Sequence, residues 1–472
     1  MKTNDVLRKA IKTVSSYRDI NDKEVFYAEF TNISGKREFV LLDSETFKSF
    51  LFVKSYRLTK GGKCLDPDRA VKKIRHILLY GKIYQDVEVF VRTSGNLTDG
   101  IEYDLQQDSQ NSVKIGESGW YVSPKVRRFV IPKIALPQVT PVQTDKSPLD
   151  LLKPFVNIKG DFYTMFVIWL IQSFSLGSHY SPLILASKGC GKTTLSKIIK
   201  KLVDPCNFKV TPIPDKKDDL HVLLWNSFLC CFDNVSSISD DFSDVFCGAI
   251  TGTSIAKRSL YTNGELVVSK LHNTIVINGI GVVPTRDDLA ERMLLVKLEK
   301  IKQGERVTDS QLWDRFNDTL PEILGSIFST LSQAMREIKK NDVKDISRIG
   351  DAFVEMVAIA KALGISEEEF RRIFNENVEA LKQVRTSSPL VDAVREFMAT
   401  VKGRKYQGKA DNVLSKIRDN FSGKKSLLPN SASHFTRRIE AEHDNLLASG
   451  YRVNIDDTGA GGTEVTIIKK KK

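Results

Sequence analysis

Ser181 to Val203 reads SPLILASKGCGKTTLSKIIKKLV, and the order of its parts decides the fold. Leu183, Ile184 and Leu185 make an apolar run of the kind buried on both faces of a parallel sheet. Leu195, Ile198, Ile199 and Leu202 then recur at helical spacing. Between them lies Lys188-Gly189-Cys190-Gly191-Lys192-Thr193-Thr194, the recipe for a phosphate-binding loop. Gly189 and Gly191 let backbone N–H groups close around phosphate oxygens at a helix N-terminus, where the dipole favours negative charge. Lys192 reaches toward the β- and γ-phosphates, and the Thr193 hydroxyl is placed to hold Mg²⁺. The usual pattern has glycine five residues before Gly191, where this chain has Ala186.

Outward from the loop, the next chemistry-bearing run is FLCCFDN, in which an apolar run ends in Asp233 and Asn234, Asp233 standing 41 residues beyond Lys192. A carboxylate there polarises Mg²⁺ or its water, the Walker B role. Asn234 stands where many ATPases carry a glutamate; an amide orients water but cannot take its proton. Asp240, Asp241 and Glu265 are alternative bases, and electrostatic positioning without a base is the other course. A further strand, TIVIN, ends in Asn278, which reads either as a sensor of the γ-phosphate or as the start of the turn NGIG. In TRDDLAERMLLVKL, Arg286 is the first candidate for an arginine finger from a neighbouring subunit and Arg292 the second, against a plain ion pair with Asp287, Asp288 or Glu291. Leu260 to Val268 alternates about Asn263-Gly264, a hairpin signal. Lys257, Arg258 and Lys270 make that hairpin basic, suited to DNA or simply to a solvated surface.

The 472 residues suffice for roughly three domains. Their formal charge of +13 favours polyanionic partners. The six cysteines show no CxxC pair or metal-ligand spacing, so reduced thiols and a cytoplasmic location are expected. Cys190 lies within the loop itself, where modification would obstruct a nucleotide. Phe162–Leu176 is apolar but too short to span a membrane, and a buried helix is expected there.

The expected fold class is α/β, in four segments. Residues 1–145 read as a β-rich N-terminal domain with an amphipathic helix at its start. Its cations Lys60, Lys63, Arg69, Lys72, Lys73 and Arg75 suit a solvated face as well as DNA. Residues 146–345 hold the nucleotide-binding domain, with strands at LILAS, 208–213, 228–233, 274–278 and 293–298. Residues 346–388 read as a helical linker or lid. Residues 389–472 carry 16 Lys and Arg against 10 Asp and Glu and read as a winged helix, in which a helix capped by Asn430 or Ser431 turns Phe435, Ile439 and Leu446 inward. Ser433, His434, Arg437 and Arg438 are left for a DNA groove, although winged helices also dock proteins.

On these motifs, together with EVFVRTSGNLTDGIEYDL, GWYVS, LDLLKPFVNI, RSLYTNGE and SRIGDAF, the chain resembles the AAA+ replicative helicases of phages, plasmids and staphylococcal cassette or pathogenicity islands, related to superfamily III and MCM-like helicases. The resemblance implies a P-loop ATPase core using ATP and Mg²⁺ and working as a homo-hexameric ring. Such a ring translocates 3′ to 5′ on single-stranded DNA and opens forked duplex in the replication of a mobile genetic element. It implies Walker A roles for Lys192 and Thr193, Walker B for Asp233, sensor 1 for Asn278, and a pre-sensor-1 identity for the basic hairpin. The other expectation is an ATP-switched initiator that grips origin duplex through residues 389–472 without processive unwinding.

Overall fold

The computed structural model describes residues 3–470 apart from 63, 187–188, 236–237, 253, 259–265, 280–285, 302–303, 305, 341–342, 387, 424 and 458–462. At its centre is a four-stranded parallel sheet in the spatial order Leu229–Val235, Thr274–Gly279, Ser181–Leu185, Met293–Lys297. Leu183, Ile184, Val276, Ile277 and Leu295 are fully buried because helices cover the strands: Lys192–Val203 packs on the first two, while Asp161–Gln172 and Glu367–Thr386 pack on Met293–Lys297. The expected strand 208–213 is reduced to one parallel bridge, Thr211 to Phe232. Pro212 and Pro214 lack the N–H groups a ladder needs.

The apolar segment after residue 160 is the buried helix Asp161–Gln172, anchored by Trp169, whose Nε1 donates to the Tyr180 carbonyl at 2.8 Å. Among the described residues no helix is long and apolar enough to cross a membrane. Residues 346–388 depart from the expected linker or lid, since helices Gly350–Ala362 and Glu367–Thr386 belong to the same core as the sheet. Asn377 shows why. Its amide accepts from the Leu295 N–H at 2.9 Å and donates to the Leu295 carbonyl at 2.8 Å, capping the open edge of Met293–Lys297 as another strand would.

The N-terminal segment also differs from the β-rich expectation. Helices Thr3–Ile11, Glu45–Leu58 and Pro67–Gly81 flank a sheet ordered Arg37–Leu41, Phe26–Thr31, Ser15–Asp19, Gln85–Val87, around a core of its own that includes Phe30, Phe47, Phe50 and Ile74. The helices start where caps allow: Ser44 accepts from the Phe47 N–H, and Asp66 accepts from the Arg69 N–H just before Pro67. The antiparallel sheet spanning Thr93 to Pro124 belongs instead to the core of the parallel sheet, because Tyr103 and Trp120 pack against Phe328 of the long helix Asp309–Ile338. The first core therefore ends near residue 87, well before 145. At the other end, Pro389–Thr400, Lys405–Lys409, Ala410–Asn420, Ala432–Ala441, His443–Ala448 and the hairpin Tyr451–Asp457/Thr463–Lys469 enclose a third core. Ser431, rather than Asn430, caps Ala432–Ala441.

One buried ionic cluster ties these layers together. Asp204, at the end of Lys192–Val203, accepts from Arg92 Nε at 3.1 Å, from Lys200 Nζ at 2.8 Å, and from the Phe228 and Leu229 N–H groups at 3.0 and 3.1 Å. Burial works against the Asp204 carboxylate, yet Lys200 and Arg92 hold its pKa below the usual value. Asp204→Ala leaves two cations buried without their carboxylate, so a loss of about 3–5 kcal/mol is expected in urea denaturation.

A second buried acid, Glu355, accepts from Ser175 Oγ at 2.9 Å and Gln172 Nε2 at 3.2 Å, joining Gly350–Ala362 to the end of Asp161–Gln172. Burial pushes its pKa from 4.5 up to about 7, with those hydrogen bonds pulling back. The native state then binds a proton that the unfolded chain has lost, so this group lowers stability as pH rises from 4.5 to about 7 and changes nothing further above that. Glu355→Gln is expected to remove this dependence and to be the more stable form at pH 8 by up to about 3 kcal/mol, read from melting curves between pH 5 and pH 8.

Candidate nucleotide site

The loop after Ser181–Leu185 has the backbone its sequence calls for: Gly189 and Gly191 lie at φ +77° and +84°, a region open to glycine at little cost. Gly191 is also the N-cap of Lys192–Val203, so the helix starts at the loop's last turn. Lys192 Nζ donates to the Ala186 carbonyl at 2.8 Å. It is the backbone of residue 186 that meets the ammonium, which explains why alanine serves there. Cys190 is buried, unlike an exposed reactive thiol, and Lys188 lies outside the described residues. Thr194 is half-buried on the first turn of the helix.

Thr193 Oγ1 donates to Asp233 Oδ2 at 2.9 Å. Asp233 is buried at the carboxyl end of its strand, and its other oxygen accepts from the Asn234 N–H at 2.9 Å. That N–H also points to Asn278 Oδ1 at 3.3 Å, a geometry set by the positive φ of Asn234, +55°. Asn278 is fully buried on the strand between those of Asp233 and the loop, and its Nδ2 donates to Ser196 Oγ at 2.8 Å. Thr193, Asp233, Asn234 and Asn278 thus form one hydrogen-bonded chain at the carboxyl ends of three adjacent strands, where parallel sheets bind ligands. The Asn234 side chain is exposed, as a group facing water should be.

This donor set suits a hard cation that takes one carboxylate and one hydroxyl and draws its remaining oxygens from phosphate and water. Among the described residues no cluster of three His, Cys, Asp or Glu could hold a metal unaided.

The two finger candidates separate. Arg292, mostly buried, donates to the Asp288 carbonyl at 2.6 Å and pairs with the Asp288 carboxylate, which also receives Arg348 at 2.9 Å. Its position is that of an internal ion pair. Arg286 is 39% exposed and pairs with Asp244 at 2.6 Å, a surface contact that another anion can replace. Asp240 and Asp241 are exposed at the start of Asp240–Thr251, and Glu265 lies outside the described residues.

The basic hairpin forms between Ser254–Arg258 and Leu266–Lys270, paired from Ser254↔Lys270 to Arg258↔Leu266. The Asn263-Gly264 turn and the side chains of Lys257, Arg258 and Lys270 lie outside what is described. In the third core Phe435, Ile439 and Leu446 are buried as expected, and Arg437 is exposed. Arg438 is held instead by Glu442 at 3.0 Å, so of the two arginines Arg437 is the one presented outward.

Sequence reasoning missed Ser196, Arg348 and Arg306. Ser196 lies one helical turn beyond Lys192, and a lone small polar residue on that helix was its only signal. Arg306 has no motif, yet its Nη2 lies 4.0 Å from where a Cβ on Gly189 would stand, which puts a second cation beside the loop.

Residues 149–370 match the family model described as the actinomycete integrative conjugative element replication protein. The solved structures include two apo structures of the NrS-1 C-terminal region. One is 12% identical with a TM-score of 0.39, the other 11% identical at 0.38, each covering 98% of both chains. JCV helicase, in a structure bound to a thiazolopyridine-containing acetamide, is 15% identical over 50% of this chain and 64% of its own, with a TM-score of 0.27. Comparison with the curated proteins gives no match.

Asn278→Ala removes an acceptor from the Asn234 N–H and a donor from Ser196. A loss of about 1–3 kcal/mol is expected on denaturation.

Proposed function

We propose that this chain is an ATP-dependent DNA helicase acting in replication, with an AAA+ P-loop core, a C-terminal winged helix and a ring assembly in which neighbouring subunits share each ATP site. The observation that carries this reading is the contact of Thr193 with Asp233, bridged through Asn234 to Asn278. It unites a phosphate loop, a metal-side carboxylate and a γ-phosphate sensor at one sheet end. The family-model match over residues 149–370 supports a role in replication.

In this reading Gly189 to Gly191 wrap the phosphates with backbone N–H groups, and Lys192 leaves the Ala186 carbonyl to neutralise phosphate charge. Thr193 and Asp233 would hold Mg²⁺, which would supply electrostatic stabilisation of phosphate charge. Asn278, fixed by Ser196, orients the attacking water or the γ-phosphate with help from Asn234. Neither amide takes a proton, so the chain's contribution is positioning and electrostatics. Arg286 leaves Asp244 to meet the γ-phosphate held by the adjacent subunit. Basic residues of the hairpin and an excess charge of +13 keep DNA in the ring.

Lys192→Ala is expected to abolish hydrolysis and strand displacement on 3′-tailed forks while leaving DNA binding intact; unwinding that persists in this variant rejects the reading. Arg286→Ala should slow hydrolysis by about 10³- to 10⁵-fold with nucleotide binding spared. Mixing it with Lys192→Ala protein should restore part of the activity, since such rings contain interfaces with both groups intact. No recovery on mixing, in rings shown to be mixed, removes Arg286 as a group acting between subunits. Chelating Mg²⁺ should stop hydrolysis in every variant.

The initiator reading draws on the separate core of the last segment and the outward Arg437. Tight, sequence-specific duplex binding without fork opening would favour it.

A further inference from the structure

The N-terminal cations, which the sequence leaves undecided between solvation and DNA, are sorted by the helix Pro67–Gly81. Ala70, Val71, Ile74 and Leu78 face the core. The opposite stripe, Arg69, Lys72, Lys73, His76, Ile77 and Tyr80, lines an open groove along the helix. Arg75 is drawn away to Asp43, so the cations that remain on the groove are Arg69, Lys72 and Lys73. Asp66 holds Arg69 at 3.4 Å, Asp68 is paired with Lys48 at 2.8 Å, and Lys73 Nζ donates to Asn4.

Tyr80 is 87% exposed and Ile77 is 39% exposed. The His76 and Tyr80 rings, one turn apart, lie near parallel at 23° with centroids 6.4 Å apart. Near-parallel rings on an exposed helix face offer a platform on which a base can stack. A cationic track beside aromatic platforms is the chemistry of sequence-neutral single-strand binding. On this stripe Arg69, Lys72 and Lys73 continue the line of Ile77 and Tyr80, so cations and an aromatic ring share one face.

We infer that this helix is a single-stranded nucleic acid site, with Arg69, Lys72 and Lys73 on the phosphates and a base stacked on the exposed Tyr80 ring beside His76. The inference rests on the DNA-translocating reading above and adds a second, N-terminal hold on the strand, outside the nucleotide core.

The test is fluorescence anisotropy of the full-length protein with a labelled oligo-dT strand across a salt series. For Lys72→Ala/Lys73→Ala the slope of log affinity against log salt should fall by about 1.4, since each single-strand phosphate contact contributes about 0.7. Tyr80→Ala should weaken binding roughly 5- to 100-fold with the slope kept, and Tyr80→Phe should restore it. DNA-independent ATP hydrolysis should be unchanged in all three. If wild type binds and the variants bind equally well with the same slope, the helix site is wrong and the helicase reading stands. Variants that bind the strand normally but fail to assemble would show the face to be a protein contact, which also overturns the inference. Wild-type protein that hydrolyses ATP yet binds no single strand overturns both.

Discussion

Asp204 is a buried carboxylate whose two oxygens serve four donors from three different parts of the chain. It receives Arg92 from just before the Thr93–Pro124 sheet, Lys200 from the helix Lys192–Val203, and the Phe228 and Leu229 N–H groups at the root of the strand Leu229–Val235. A charge this deep is tolerated only with nearly every lone pair occupied. The same condition fixes where the helix Lys192–Val203 ends relative to Leu229–Val235. Since Thr193 lies in the first turn of that helix and Asp233 lies near the end of that strand, the 2.9 Å contact between them depends on the anchor at the far end of both elements.

The sheet is closed on its other side by different means. Met293–Lys297 is an edge strand, and an open edge invites pairing with another chain. Asn377 occupies the Leu295 backbone groups from a helix, so Glu367–Thr386 is bound into the core by hydrogen bonds as well as by apolar contact. A segment held this way cannot swing as a lid without exposing that edge. Surface contacts such as Arg286 with Asp244 are the ones whose disruption leaves no polar group buried.

Much of the site was legible because its parts are local. A glycine-bearing loop between an apolar strand and an amphipathic helix needs only neighbours in sequence, and Asp233 and Asn278 announce themselves as polar residues ending apolar runs. The misreadings have equally definite causes. Phe26 to Phe52 is rich in aromatic and branched residues, so its helix Glu45–Leu58 hides in a strand-like composition, although Ser44 and the three residues after it hold the capping signal. The strand expected at 208–213 fails at its prolines. Arg292 sits in the same motif as Arg286, and only the structure shows one consumed by Asp288 and the other left at the surface.

The sequence by itself determined that this chain carries a glycine-bearing loop between a parallel strand and a helix, a carboxylate and an amide at strand ends, and a basic C-terminal segment, because each depends on periodicity and on residues a few positions apart. Tertiary structure alone decided which partners meet. Arg92 reaches Asp204 across 112 positions, Asn377 reaches Leu295 across 82, and the meander Thr93–Pro124 leaves its N-terminal neighbours for the core of the parallel sheet. Those pairings follow from satisfying buried polar groups and packing large apolar side chains in three dimensions, and no spacing along the chain encodes them.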